Sequence, residues 1–349
     1  MDWMIYGANG YTGELIAREA KRQGKSPILA GRGEAKITAL ANQLELPARV
    51  FALTSPEEMT KALQGISLVL NCAGPFSQTA FVMIQACMAA RAHYLDITGE
   101  IAVFELARSL DAPARAAGIV LCPGVGFDVI ATDCVALKLK QAVPDATALA
   151  LGFQSASRVS PGTAKTMVEG MGKGTLVRRG GVIQSEPFGW RSRRIDFGNG
   201  ERLAIAFSWG DVSTACTTTG IRDITVFVAV TPARRWAALA ANLAMPLLRI
   251  GAVQAHLKAR AAAMIGPDAG KRSRAPTFIW GEVRGGSGVT RTARIRTANG
   301  YDVTIHGALA VVRHVIGSNT LVPGHTTPSL LCGADLIERL PGSGPLVLS

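Results

Sequence analysis

Three glycines, Gly7, Gly10 and Gly13, recur at every third residue within "WMIYGANGYTGELIAREAKRQG". The apolar run Trp3 to Tyr6 reads as a buried strand, and Glu14 to Arg22 reads as a helix. A glycine-rich turn between a strand and a helix lets backbone approach a phosphate closely. The pyrophosphate of a dinucleotide then rests on the unsatisfied N–H groups that open the helix. The expected chemistry is therefore dinucleotide binding, and hydride transfer is the reaction such a site usually serves.

The second strand decides which dinucleotide. Enzymes that take NAD place an Asp or Glu at its end for the ribose hydroxyls. "SPILAGR" ends instead in Ala30-Gly31-Arg32, with no carboxylate. Arg32 is placed to meet a 2′-phosphate through a forked, charge-assisted contact, so the expected cofactor is NADP(H). Hydrogen bonds to such charged groups contribute about 1.5–3 kcal/mol.

The proton donor is harder to find. Four positions beyond Tyr6, Tyr11, Tyr94 and Tyr301 stand Gly10, Leu15, Thr98 and Ile305, so no Tyr-x-x-x-Lys pair exists. H-E-x-x-H, G-x-S-x-G and a P-loop lysine are also absent. Asp128, after the glycine-rich "PGVGFD", and Lys165, in "SPGTAK", are the candidate catalytic groups. Asp128 could equally cap the helix that starts there, and Glu100 could cap a helix N-terminus. Tyr94 reads as core. The five histidines form no cluster, with His306 expected in a strand, and no metal site is expected.

These residues need elements to position them. Strands are expected at "ILAGR", "ARVFALT", "ISLVLNCAGPF", "HYLDITGE" and "GIVLCPGVGFD", separated by helical runs, with Ser55 and Pro56 opening one. That alternation predicts a Rossmann doubly wound parallel sheet over residues 1–146. Longer amphipathic strands over 147–305, "ALALGFQS", "RLAIAFSW", "DITVFVAV" and "TFIWGEVRG", predict an α+β substrate or dimerisation domain. Helices are expected there near Gly162 to Met171 and Ala233 to Ala263. "TRTARIRTANGYDVTIHG" reads as a hairpin turning at Ala298-Asn299-Gly300. Helices over 306–349 are expected to fold back on the first domain.

Read in order, the opening turn, "LAGR", "NCAGPF", "YLDITGE" and "PGVGFD" resemble the saccharopine dehydrogenase-like family of reductases. The chain is most similar to the branch containing trans-acting enoyl reductases of mycobacterial lipid and polyketide synthesis. "GTAKTMVEGM", Gly300-Tyr301 and "TPSLLCGADLIERLPG" extend the resemblance along the chain. It implies that Gly7, Gly10 and Gly13 hold the pyrophosphate, with contacts from Asn9, Tyr11 and Thr12. It implies further that Cys72-Ala73-Gly74-Pro75-Phe76 line the cofactor, while Thr98-Gly99-Glu100 and Gly124 to Asp128 close over its nicotinamide end. The activity it implies is NADPH-dependent reduction of an activated C=C or C=O in an acyl or polyketide-like substrate. C–N oxidoreduction on an amino acid, and a non-catalytic nucleotide-binding or lipid-surface role, are the alternatives.

Charge is unevenly spread. Residues 1–150 carry 13 Lys/Arg against 14 Asp/Glu, whereas residues 151–275 carry 18 against 7. A basic middle domain suits an anionic partner: a carrier-bound acyl chain, an acidic carrier protein or a membrane surface. With aromatics at 6%, and no basic–aromatic interleaving, nucleic acid is not an expected partner. "WAALAANLAMPLLRIGAV" has the length of a membrane span, but Asn242, Pro246 and Arg249 interrupt it. It reads as a core or homodimer-interface helix, with shallow lipid association also open. Six scattered cysteines without metal spacing suit a reducing compartment. The turn at Gly7 leaves no room for a leader before it, so the expected location is cytoplasmic.

Overall fold

The computed structural model describes residues 2–155, 168, 170–248, 250–262 and 276–349. The chain opens with β1 (Asp2–Tyr6), α1 (Tyr11–Arg22), β2 (Ile28–Gly31), α2 (Glu34–Leu44) and β3 (Ala48–Val50). It continues through α3 (Pro56–Ala62), β4 (Ile66–Asn71), α4 (Phe76–Ala90), β5 (His93–Asp96), α5 (Ile101–Ser109), α6 (Asp111–Ala117), β6 (Val120–Cys122) and α7 (Phe127–Ala142). Then come β7 (Ala146–Ser155), β8 (Thr175–Arg179), β9 (Val182–Glu186), β10 (Ser192–Asp196), β11 (Glu201–Ala206), α8 (Asp211–Thr219) and β12 (Asp223–Ala229). Three helices follow, α9 (Pro232–Ala241), α10 (Met245–Leu248) and α11 (Gly251–Ala262), before β13 (Thr277–Gly285) and β14 (Thr290–Thr297). The last elements are α12 (Gly300–Gly317), β15 (Gly324–His325), α13 (Pro328–Cys332) and β16 (Val347–Leu348).

Two compact units result. One comprises the chain up to Asp128 with Tyr301–Cys332; the other comprises Val129–Gly300 with Gly333–Ser349. In the first, the strand order is β15-β6-β5-β4-β1-β2-β3, and every pairing is parallel. That is the doubly wound dinucleotide-binding order with one strand added at its β6 edge. The near-continuous apolar runs of β1 and β4 follow from burial on both faces, as a parallel sheet requires. α1 buries Gly13, Ile16, Ala17 and Ala20, one face of a 3.6-residue period. Ser55 caps α3, its side chain accepting from Glu58 N at 3.2 Å.

The second unit is a mixed sheet. Its path is β10-β11-β12-β7-β13-β14-β16, with β8 and β9 branching from β12. The β12–β7 pair is parallel and its other pairs are antiparallel. The sheet curls until β10 reaches the opposite strands. Arg193 forks onto Glu282 at 2.9 and 3.0 Å, and Arg294 Nε donates to Asp196 O at 2.8 Å. Ile195, Phe197, Ala204, Phe227 and Trp280 fill the concave side.

Three expectations need correction. No hairpin turns at Ala298-Asn299-Gly300, because β14 ends at Thr297 and Gly300 opens an 18-residue helix. His306 is therefore helical rather than in a strand. Pro232–Ala241 has no buried residue, so it is not a core helix. The helix expected over Gly162 to Met171 lies largely outside the described residues.

Gly281 shows how closely α7 seats on the second sheet. A Cβ there would lie 2.5 Å from Val135 Cγ1 and 2.7 Å from Leu139 Cδ1. Overpacking of this kind costs about 1–3 kcal/mol. Gly281→Ala should lower unfolding free energy by that amount in urea titration, and an unchanged midpoint would refute the packing.

Candidate functional site

The turn after β1 is held in place from both sides. Gly7 N and Ala8 N both donate to Ala30 O, at 2.7 and 3.1 Å, and Cys72 N donates to Tyr6 O at 2.7 Å. Gly7 has φ +81°, and a Cβ there would sit 2.8 Å from Ala73 N. Only glycine fits that conformation and that contact. A Cβ on Gly13 would run into Gly7 O, which presses the start of α1 against the turn. Gly10 is the N-cap of α1 and brings no capping side chain. The helix therefore presents its N-terminus without a side-chain acceptor of its own, as anion binding requires. Tyr11 stacks edge-on against Tyr301 with ring centroids 5.3 Å apart, which fixes the ring beside the turn.

At the end of β2, Asn9 leans over Gly31, where a Cβ would lie 3.0 Å from Asn9 Oδ1. Arg32 follows, exposed, with no hydrogen bond or ion pair among the described residues. Its charge acts on the Tyr6 phenol, whose burial nonetheless pushes it up to about 12. A free guanidinium beside the turn suits a phosphate ester.

Carboxylates organise the ends of the next three strands. Asp96, fully buried at the end of β5, accepts from Thr98 N at 3.0 Å and Gly124 N at 2.9 Å through Oδ1. Its Oδ2 accepts from Tyr94 Oη at 2.7 Å. Asn71 Nδ2 donates to that phenol at 3.4 Å, while Asn71 Oδ1 accepts from Ala73 N at 3.0 Å. Burial raises Asp96 to about 6, against the opposing pull of its three donors. Glu100 reaches back to α4 and accepts from Phe76 N at 2.9 Å and Ser77 N at 2.7 Å. It caps a helix other than the one it begins.

Asp128 differs from both. It stands in the first turn of α7, yet the N–H of Phe127 is taken by Thr304 Oγ1 at 3.0 Å. The Asp128 carboxyl makes no hydrogen bond among the described residues and lies directly over Gly99, whose Cβ would collide with it. Burial pushes it up to about 7. The structure thus brings together Gly7 to Gly13, Arg32, the Cys72 to Phe76 loop, Thr98 to Glu100 and Asp128. All of them follow the carboxyl ends of parallel strands, where open α/β sheets take ligands. Lys165 lies outside the described residues. Sequence reasoning missed Asp96, Asn71 and Thr304, which the "YLDITGE" and "NCAGPF" strand ends and the "GYDVT" run contain.

Such a unit is a dinucleotide-binding α/β domain. Residues 3–122 match the family model of the saccharopine dehydrogenase NADP binding domain, and NADP(H) is the cofactor of that domain. A probable mitochondrial saccharopine dehydrogenase-like oxidoreductase of Arabidopsis thaliana is 30% identical over 149 residues, covering 38% of this chain and 33% of the relative. A trans-acting enoyl reductase of Mycobacterium bovis is 27% identical over 188 residues, covering 49% of this chain and 44% of the relative. The chain thus matches from a third to under half of these relatives' length. In fold, the chain is similar over its whole length to the saccharopine dehydrogenase (L-Glu forming) of Saccharomyces cerevisiae. The TM-score is 0.68 at 10% identity, covering 100% of this chain and 99% of that one. The expected Rossmann sheet with a second α+β domain is the observed architecture.

The two Glu100 contacts imply a measurable cost. Hydrogen bonds to a charged acceptor contribute about 1.5–3 kcal/mol, and a buried N–H left unpaired is penalised. Glu100→Ala should lower unfolding free energy by about 2–3 kcal/mol, and Glu100→Gln by roughly half as much. Equal melting of wild type and Glu100→Ala would remove the capping role.

Proposed function

We propose that the protein is an NADPH-dependent reductase acting on an activated C=C or C=O of an acyl thioester, free or carrier-bound. The observation carrying this reading is the coincidence of two features at one sheet edge. A glycine turn at an uncapped helix N-terminus stands there with Arg32, and neither Arg32 nor the Asp128 carboxyl has a hydrogen-bonding partner among the described residues. The enoyl reductase names of relatives that match up to 49% of the chain support the acyl substrate. The basic composition of residues 151–275 supports an anionic acyl carrier.

The residues fit the cofactor. Gly7 turns at positive φ tight against Ala73, where no Cβ fits, and Gly10 opens α1 without a side-chain cap. Gly7, Gly10 and Gly13 would hold the pyrophosphate, with Asn9, Tyr11 and Thr12 beside it. Arg32 would read the 2′-phosphate, and Cys72, Ala73, Gly74, Pro75, Phe76, Thr98, Gly99 and Glu100 would line the remainder. When bound, NADPH supplies a hydride. Addition of hydride to the β-carbon of an enoyl thioester shifts an electron pair toward the thioester carbonyl, and the α-carbon then needs a proton. Asp128 holds one near neutral pH because burial penalises its charged form. Lys165 is the second candidate donor.

Turnover of NADPH with a short enoyl or keto thioester, followed at the nicotinamide absorbance, tests the reading. Turnover of NADPH with lysine and 2-oxoglutarate in place of the thioester would replace it with C–N chemistry. Arg32→Ala should weaken NADPH binding roughly ten- to hundredfold and leave NADH unchanged. Equal losses for both nucleotides would refute the phosphate contact. Asp128→Asn should lower kcat by about 10²–10⁴. The wild-type rate should be highest below about pH 7 and fall as the proton leaves at higher pH. A profile flat from pH 5 to 9 in the wild type would exclude Asp128 as the donor.

A further inference from the structure

Pro232–Ala241, Met245–Leu248 and Gly251–Ala262 form an unusual surface. The first two have no buried residue. One face of this segment is used internally. Asn242 accepts from Phe188 N at 2.9 Å and donates to Phe188 O at 3.0 Å, and a Cβ on Gly189 would lie 3.3 Å from Leu239 Cγ. These contacts anchor the Pro187–Trp190 loop on the helices.

The other face carries Trp236, Ala240, Leu243, Leu247 and Ile250, spaced four, three, four and three residues apart. These apolar residues span two short helices and the turn between them, in a spacing that within a soluble helix normally faces a core. Here they face outward: Trp236 is 67% exposed, Leu243 88% and Leu247 61%. Trp190, on the anchored loop, is 69% exposed. A contiguous apolar surface of this kind marks an interaction site.

Charge selects the occupant. Residues 224–267 contain no Asp or Glu, but include Arg234, Arg235, Arg249, Lys258 and Arg260. Two copies meeting through this face would oppose like charges with no acidic partner from the same segment. An anionic lipid surface is complementary to it, and tryptophan favours the headgroup level. Among the described residues, no helix is long and apolar enough to cross a membrane.

We propose that the outward stripe of Trp236, Leu243, Leu247 and Ile250, with Trp190, docks on an anionic membrane surface. The stripe lies flat at the headgroup boundary, and the flanking arginines meet lipid phosphates. This inference is independent of the reaction proposed above. It brings the chain to a surface where long acyl substrates collect.

Co-sedimentation of the full chain with phosphatidylcholine vesicles, with and without phosphatidylglycerol, tests it. Binding should require phosphatidylglycerol, blue-shift tryptophan emission, and weaken in about 0.5 M salt. Each arginine changes partitioning about fivefold near an anionic leaflet, so Arg234→Glu with Arg235→Glu should reduce it by at least about twentyfold. Leu243→Glu with Leu247→Glu should reduce it at least about tenfold, with an unchanged circular-dichroism melt because both positions are exposed. Absence of binding, or equal binding to neutral and anionic vesicles, would overturn the proposal. So would a dimer in analytical ultracentrifugation that the double leucine variant splits, since the face would then belong to a second copy.

Discussion

The buried carboxylate of Asp96 is the constraint on which the ligand edge of the first sheet depends. A carboxylate removed from water must be hydrogen-bonded or protonated. Asp96 is satisfied by Thr98 N, Gly124 N and the Tyr94 phenol, and its own carbonyl accepts from Val125 N at 2.7 Å. The loops after β5 and β6 are therefore tied to one side chain. Through Tyr94 and Asn71 the tie extends to the end of β4, and through Thr98 Oγ1, which accepts from Glu100 N at 3.0 Å, to the carboxylate that caps α4. A network of this kind fixes loops that contribute few apolar contacts of their own.

Two carboxyls at this edge differ in burial and in partners, Asp96 being fully buried and Asp128 partly so. Asp96 has three donors, and they hold it at about 6. Asp128 has none among the described residues, and burial raises it to about 7. The first ties loops together through its donors, while the second is left with its proton held by burial. Gly99 fits this division, because any side chain there would displace the Asp128 carboxyl.

The first unit was legible because each of its elements is locally consistent. Strands of β-branched and apolar residues alternate with helices at crossover spacing, and α2 spans Glu34–Leu44 as its pattern implies. The C-terminal segment was not. "GYDVTIHG" alternates like a strand, but Val303, Gly307, Ala308, Val311, Val312 and Val315 form a helical face that emerges only over the full 18 residues. Glu100 was legible as a cap but not as the cap of α4, because its partners lie 24 and 23 residues upstream. Short strands such as β8, β9 and β10 carry no strong period, and pairing with their neighbours defines them. The reading of Arg32 rests on the sequence, on what the end of the second strand lacks.

The raised carboxyls also set how the fold responds to pH. Asp96 and Asp128 bind protons more tightly folded than unfolded. Between about pH 4 and pH 6–7, the unfolded chain releases those protons first, so both groups make folding less favourable as pH rises. Glu19 and Asp111 act in the opposite sense. Their pKa values are lowered chiefly by hydrogen bonds from Arg22 and Arg115, so they stabilise the fold above the ordinary carboxylate range and lose that effect in acid. Those two pairs are largely exposed and screened by solvent, whereas Asp96 is enclosed by protein and Asp128 partly so. Among these four carboxyls the balance tilts toward less stabilisation above pH 7 than at pH 5, whereas His325 and His93, lowered by burial, act in the opposite sense. For Asp128 the two effects have one cause, because the burial that holds the proton is the burial that opposes the charge.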